Sequence, residues 1–285
     1  MAIGISINIG MNQVDRGFYG DPKILNGCES DAEAMAYIAR NAGFQEPILL
    51  LSKQATKSAV TNAITQAAGR LNTGDILLLT FSGHGGQKHD DNQDEGIDTN
   101  DERWCLFDHD IIDDELFGLW IKFNEGVRIL VFSDSCNSGT VAALFLNPMN
   151  PVRDNITKKS ARSQNVYPEP AIKALATEES NEIFKNHKAE YQEIQRKFPK
   201  SIRSRVKASV LLISACQDWE TAVDGFKNSV FTAALLKVWD SGNFKGNYIE
   251  FHHKIYEELK GTGQNPNYFP LTPNPAFALQ RPFTI

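Results

Sequence analysis

Short, unbroken apolar runs alternate along this chain with longer stretches in which apolar residues return every three or four positions. Residues 3–9, 48–51, 76–81, 127–132 and 209–214 are rich in Ile, Leu, Val and Phe and read as strands. Between them, residues 27–43 place Ala32, Met35, Ala36, Ile38 and Ala39 on one helical face. Residues 56–71 do the same with Ala59, Val60, Ala63, Ile64 and Ala67. Residues 229–239 and 248–259 read as two further helices. A strand that is apolar at every position has both faces buried, and the intervening helices supply the cover. The pattern therefore predicts an α/β fold, a parallel sheet between helical layers.

The pattern is interrupted once. Residues 147–151 hold two prolines, and residues 153–207 carry thirteen Lys or Arg against seven acids. This stretch, 147–206, reads as a basic, mostly polar insert. One helix is expected over residues 177–198, with Ile183, Phe184, Tyr191 and Ile194 on its apolar side and Pro199 at its end. The proline-containing tail, 265–283, reads as an extended closing segment. One domain over 1–285 is expected, its sheet built from 1–146 and 207–285.

Composition narrows the classes. The chain has 285 residues, 41% hydrophobic and 22% charged, as ordinary soluble domains do. No run of about 18 apolar residues exists for a membrane span, and the first residues lack the basic and apolar regions of a signal peptide. A cytoplasmic location is expected. Four cysteines, Cys28, Cys105, Cys136 and Cys216, lie far apart with no CxxC pair, so free thiols are expected. The net charge of −6 conceals an uneven distribution: residues 90–115 hold twelve acids and one base, and the remainder is mildly basic. Neither membrane nor nucleic acid is an expected partner, since no aromatic and basic platform is present.

Two apolar strands run into unusual sequences. One ends Phe81-Ser82-Gly83-His84-Gly85-Gly86, the other Phe132-Ser133-Asp134-Ser135-Cys136-Asn137. In open α/β sheets ligands bind beyond the carboxyl ends of strands, where both His84 and Cys136 fall. A thiol beside an imidazole makes a nucleophile and its base. The backbone N–H groups of Gly85 and Cys136 can form an oxyanion hole. Taken singly, His84 could be a turn histidine and Cys136 a small buried residue.

The two motifs resemble the histidine and cysteine motifs of metacaspases, in the caspase-like clan of cysteine peptidases, and the bacterial orthocaspase type in particular. The 52 residues between His84 and Cys136 are close to the caspase His-to-Cys interval. Residues 26–35, 55–75, 209–219 and 229–236 extend the likeness, leaving roughly 147–206 outside it. Asn137 stands where metacaspases commonly have His. The resemblance implies a caspase-like three-layer sandwich on a mostly parallel six-stranded sheet, and a cysteine endopeptidase with a Cys136–His84 dyad and a thioester acyl-enzyme. It also implies a first substrate pocket made by Cys28, Asp31, Ser82 and Asp134. Two carboxylates in a partly desolvated pocket select a cation, so cleavage after Arg or Lys of protein or peptide substrates is expected, and none after Asp. Asp31 could instead serve the dipole of a helix, and Asp134 could be a structural acceptor at a strand end.

The chemistry itself calls for no cofactor. The acidic stretch admits calcium as an activator, because hard cations take carboxylate oxygens. In calcium-dependent relatives the resemblance points to Asp101, Asp113 and Asp114, with a further acid at the position of Ala143, so the set is incomplete here. A solvated acidic loop is the other reading. The basic insert offers sites for self-processing, or a linker that is never cut. A monomer is expected. Two other functions compete with the peptidase: an α/β-hydrolase, which lacks its nucleophile elbow here, and a catalytically latent caspase-like signalling scaffold.

Overall fold

In a computed structural model the described residues are 2–89, 100–135, 171–175, 177–216 and 222–285. The central sheet has six strands in the order β2-β1-β3-β7-β8-β9. They are β1 (Gly4–Gly10), β2 (Ile48–Leu51), β3 (Ile76–Ser82), β7 (Arg128–Asp134), β8 (Ser209–Ser214) and β9 (Asn267–Pro270). Five run parallel and β9 closes the edge antiparallel to β8. The expected six-stranded, mostly parallel sheet is present. β1, β3 and β7 are buried along their whole length, as strands at the middle of a covered sheet must be.

Alternate residues of each strand feed two separate cores. Leu77, Leu79, Ile129, Val131, Val210 and Leu212 pack with Val60, Ile64 and Ala67 of α3 (Lys57–Arg70) and with Leu116 and Phe117 of α4 (Asp113–Trp120). Ile76, Leu78, Leu130, Phe132, Leu211 and Ile213 face the opposite layer. There they meet Met35 and Ile38 of α2 (Cys28–Asn41), Phe231 and Leu235 of α7 (Val230–Trp239), and Phe251 and Ile255 of α8 (Tyr248–Leu259). α3 starts at Thr56, whose hydroxyl accepts from the Ala59 N–H at 3.1 Å, a side-chain cap of the usual kind.

Three regions depart from the expected elements. A second, three-stranded antiparallel sheet follows β3: β4 (Gly85–His89), β5 (Asn100–Cys105) and β6 (Asp110–Ile112). Its strands lack the longer apolar runs by which the other strands are legible: β4 is polar and glycine-led, β5 is charged, and β6 is three residues long. The helix expected over 177–198 is two helices, α5 (Thr177–Asn186) and α6 (Lys188–Lys197), broken at His187, whose backbone leaves the helical region at φ −112° and ψ 19°. The His187 ring instead lies tilted against Phe18 of α1 (Arg16–Tyr19), with ring centres 4.5 Å apart. The tail is not wholly extended: after β9 comes the short helix α9 (Pro275–Ala278), begun by Asn274 as its cap.

The insert is anchored where it is described. Ile183, Tyr191, Ile194 and Ile202 are buried. The Tyr191 hydroxyl and the Arg103 guanidinium both donate to Asp110 Oδ2, at 2.6 and 2.9 Å, tying α6 to the small sheet. Among the described residues no helix is long and apolar enough to cross a membrane. Cys28, Cys105 and Cys216 are free thiols, all buried.

Candidate active site

The carboxyl ends of β3, β7 and β8 meet in a row of buried polar groups, an unusual investment beneath an apolar sheet. Ser82 and Asp134 are register partners at the ends of β3 and β7, so they lie side by side. Gly83 follows at a point of close approach: a Cβ there would lie 2.8 Å from Met11 Cβ and 2.9 Å from the Phe81 ring. That turn brings His84 in, 1% exposed.

His84 is oriented by a backbone group. Its Nε2 lies 2.7 Å from the Lys23 carbonyl oxygen, which can only accept, so Nε2 carries the proton. Nδ1 is then the free base, and it has no hydrogen-bond partner among the described residues. Burial pushes the imidazole pKa below its ordinary value, and the Lys173 cation adds to that; Lys23 and Asp224 oppose it. A neutral, aimed imidazole is the state a general base needs. Cys136 and the next residues lie outside the described residues. Ser135, immediately before Cys136, is buried at the end of β7, with its hydroxyl 3.1 Å from that of Ser133.

The four residues expected to form the first pocket do converge, on a cation that sequence reasoning missed. Lys173 is fully buried. Its Nζ lies 2.9 Å from Asp134 Oδ1 and 3.6 Å from Asp31 Oδ2, and donates to Ser82 Oγ at 2.8 Å and to the Asp134 carbonyl at 3.0 Å. Ser82 in turn donates to Asp31 Oδ2 at 2.7 Å. Burial disfavours the ammonium, but Asp134, Cys28 and Asp31 outweigh it and hold the Lys173 pKa above its usual value. Cys28 stands beside them as a buried neutral thiol, pushed up to about 12 chiefly by desolvation.

The acids are held by a clasp from the far end of the chain. Asp31 accepts from the Ser229 N–H and from Asn228 Nδ2, each at 3.0 Å, and from the Ser229 hydroxyl. Asp134 Oδ2 accepts from the Thr232 hydroxyl at 2.7 Å and its N–H at 3.2 Å. Burial raises the Asp134 pKa, against the pull of Lys173. Asp224 takes the N–H groups of Asn26 and Gly27 at 2.6 and 3.0 Å, at the start of α2. Gly27 leaves room for it: a Cβ would meet Asp224 Oδ1 at 2.8 Å. Lys173 had a legible signal, the apolar run Ala171-Ile172-Lys173-Ala174-Leu175 inside a polar insert. Asp224, Ser229 and Thr232 had none, because their partners are nearly 200 residues or about 100 residues away.

The segment carrying Lys173 lies in the site as a strand. The Lys173 N–H donates to the Ala222 carbonyl at 3.0 Å, and the Asp224 N–H to the Ala171 carbonyl at 2.8 Å, an antiparallel pairing. On its other side the Gly85 N–H donates to the Lys173 carbonyl at 2.9 Å. This is the N–H expected to serve an oxyanion.

The expected calcium ligands are described only in part. Asp101 lies on β5, its side chain outside the described residues, and Ala143 lies outside them altogether. Asp113 and Asp114 are 5% and 2% exposed at the start of α4 and face Arg203, whose Nη2 is 3.0 Å from Asp113 Oδ2 and 3.5 Å from Asp114 Oδ1. A cation bound by these two carboxylates would compete with that guanidinium.

The caspase-domain family model matches residues 5–277. Metacaspase-3 of Arabidopsis thaliana is 35% identical over 141 residues, 45% of this chain and 39% of that one. Metacaspase-1 of Eremothecium gossypii is 27% identical over 277 residues, 86% of this chain and 59% of its own. The chain thus spans well under two thirds of these curated relatives. The crystal structure of protein GSU0716 from Geobacter sulfurreducens superposes with a TM-score of 0.82 at 42% identity, covering 99% of both chains. Caspase-1 from Spodoptera frugiperda shares the fold, at a TM-score of 0.57 and 13% identity over 95% of this chain and 86% of that one. With the family model spanning nearly its whole length, the chain belongs to the caspase-domain family of cysteine peptidases.

Proposed function

We propose that this protein is an endopeptidase that cuts after Lys or Arg, with Cys136 as nucleophile and His84 as base. The observation that carries the reading is Lys173: a lysine side chain lies fully buried between Asp31, Asp134 and Ser82, on a strand whose carbonyl receives the Gly85 N–H. A pocket that holds an ammonium this way accepts a substrate cation by the same contacts, while an acidic side chain there would face two carboxylates. His84 takes the Cys136 proton at Nδ1. The thiolate adds to the peptide carbonyl, whose oxygen charge is met by the Gly85 N–H. The amine leaves with the proton from His84, and water hydrolyses the thioester.

Fluorogenic peptides ending in Arg, Lys or Asp, offered beside the Cys136→Ala protein, test this. Hydrolysis after Arg or Lys, abolished in Cys136→Ala, is the expected result. Hydrolysis after Asp, or activity surviving in Cys136→Ala, overturns it. The filled pocket also favours a second reading, a latent scaffold that never cuts; it predicts silence toward all three peptides from every variant, including one with the pocket emptied.

A further inference from the structure

We infer that Trp104 is a positioning residue of the peptidase, one that fixes the end of β7 delivering Cys136 to His84. The inference rests on the reading above, with Cys136 as nucleophile and His84 as base, and names a residue on which the alignment of both depends. Successive residues at the end of β7 face opposite layers. Asp134 turns toward α7, where it meets Thr232. Ser133 and Ser135 turn the other way, following Ile129 and Val131, and each is 1% exposed. Two hydroxyls buried in an apolar layer need partners. The Trp104 indole N–H donates to Ser133 Oγ at 2.9 Å, and the Ser133 and Ser135 hydroxyls bond at 3.1 Å. The Cys216 thiol holds the Ser135 carbonyl at 3.4 Å. That carbonyl shares one planar peptide with the Cys136 N–H, an expected oxyanion donor. What sets Ser135 therefore sets the direction of that N–H.

The same residue holds the base. On β5, Trp104 is the register partner of Gly85, and the N–H of the next residue, Cys105, donates to the His84 carbonyl at 3.0 Å. The Trp104 ring stacks on Phe81 of β3, with centres 4.7 Å apart and planes 7° from parallel. One side chain and its backbone thus reach the end of β3, the His84–Gly85 turn and the end of β7. A tryptophan buried only to fill the core would not require the bond to Ser133. Trp120 is buried as deeply, and its Nε1 has no hydrogen-bond partner among the described residues. The hydrogen bond from Trp104 is spent on the strand that ends in the nucleophile.

The test uses the full chain as wild type, Trp104→Phe, Ser133→Ala and the double variant. Trp104→Phe keeps an aromatic ring on Phe81 and removes the N–H. Two quantities are read: kcat and KM on Arg and Lys peptides, and the rate at which iodoacetamide alkylates Cys136 across pH, with Cys136→Ala as the blank. The second needs no peptide hydrolysis. Each single variant should lower kcat about tenfold with KM changed by less than about twofold, as a displaced nucleophile does. The double variant should fall no further, because both changes break one hydrogen bond. Alkylation near pH 6 should slow about fivefold in each, and stay unchanged near pH 9.5, where the thiolate forms without a base. Should Trp104→Phe fail to fold, Ser133→Ala decides by the same two readouts. Folded variants with the wild-type kcat and the wild-type alkylation profile overturn the inference and leave the peptidase reading standing. Losses that multiply in the double variant do the same. A wild type silent toward peptides, whose variants still lose alkylation near pH 6, overturns the peptidase reading and supports the positioning role. Silence with no difference in alkylation overturns both.

Discussion

Two pairs of aspartates in this molecule each close on a basic residue supplied by the insert. At the sheet end, Asp31 and Asp134 hold Lys173. On the other side of the sheet, Asp113 and Asp114 hold Arg203, whose guanidinium also lies 4.6 Å over the Phe117 ring. The charges are alike and the settings are not. Arg203 sits on the short helical turn Lys200–Arg205, packed between α4 and the core, and its planar fork meets two carboxylates and an aromatic face together. Lys173 rides on a single strand whose neighbour Ile172 is 46% exposed. On the proposed reading one cation is part of the fold and the other occupies a site. The element that carries each cation distinguishes them, since the carboxylate count is the same and the more deeply buried cation, Lys173, is the one on the single strand.

The comparison fails or sharpens in four measurements. The largest effect is expected at Arg203. Arg203→Met takes a guanidinium away from two buried carboxylates, and urea unfolding should show a loss of about 3–5 kcal/mol. Lys173→Met strands Asp31 and Asp134 in the same way, but vacating the pocket admits water to them. The expected loss is about 1–3 kcal/mol. Agmatine, a guanidinium on an alkyl chain, should restore much of it, up to about 2.7 kcal/mol at a hundredfold excess over its Kd. It should not restore Arg203→Met. A loss at Lys173 as large as that at Arg203, with no rescue, makes both cations structural.

Third, millimolar calcium should shift the melting temperature of the wild type by less than about 1 °C, because Arg203 already matches Asp113 and Asp114. Arg203→Ser frees both carboxylates and should gain a calcium-dependent rise. A strong response of the wild type would place a calcium site elsewhere in the acidic stretch.

The smallest effect concerns His84. Burial lowers its pKa and Lys173 lowers it further, so Lys173→Met should raise it by some tenths of a pH unit, about what one partly screened charge supplies. Histidine-labelled NMR in the Cys136→Ala background reads this without activity. The same depression has a sign for stability. The unfolded imidazole takes its proton near pH 6.5 and the folded one only at lower pH, so stability falls as pH drops from 6.5 toward the folded value.

Much of this was legible in the chain. Apolar strands and the 3.6-residue rhythm of the helices gave the sheet and both layers, since burial on two faces leaves that imprint. That Ser82 and Asp134 lie side by side was legible because two apolar strands end in polar groups at matching positions. The small sheet was not, because β4 is polar and glycine-led and β5 is charged rather than apolar. Nor was the break at His187, which depends on Phe18 from a distant part of the chain. Lys173 is one of twelve basic residues of the insert, and only the short apolar run 171–175 around it marks it as facing inward. Arg203, another of the twelve, carries no such mark, so its pairing with Asp113 and Asp114 was not legible.

The clasp on Asp31 has a consequence for the time at which this buried acid is set in place. The carboxylate belongs to residue 31, but the groups that aim it, Asn228 and Ser229, lie 197 and 198 positions later. A chain still emerging from the ribosome has the imidazole, the thiol and both acids long before it has the residues that set the pocket. Domains generally fold as units once their sequence is complete. On the proposed reading, the selection of basic residues therefore waits until Asn228 and Ser229 have been made, however early the acids themselves emerge.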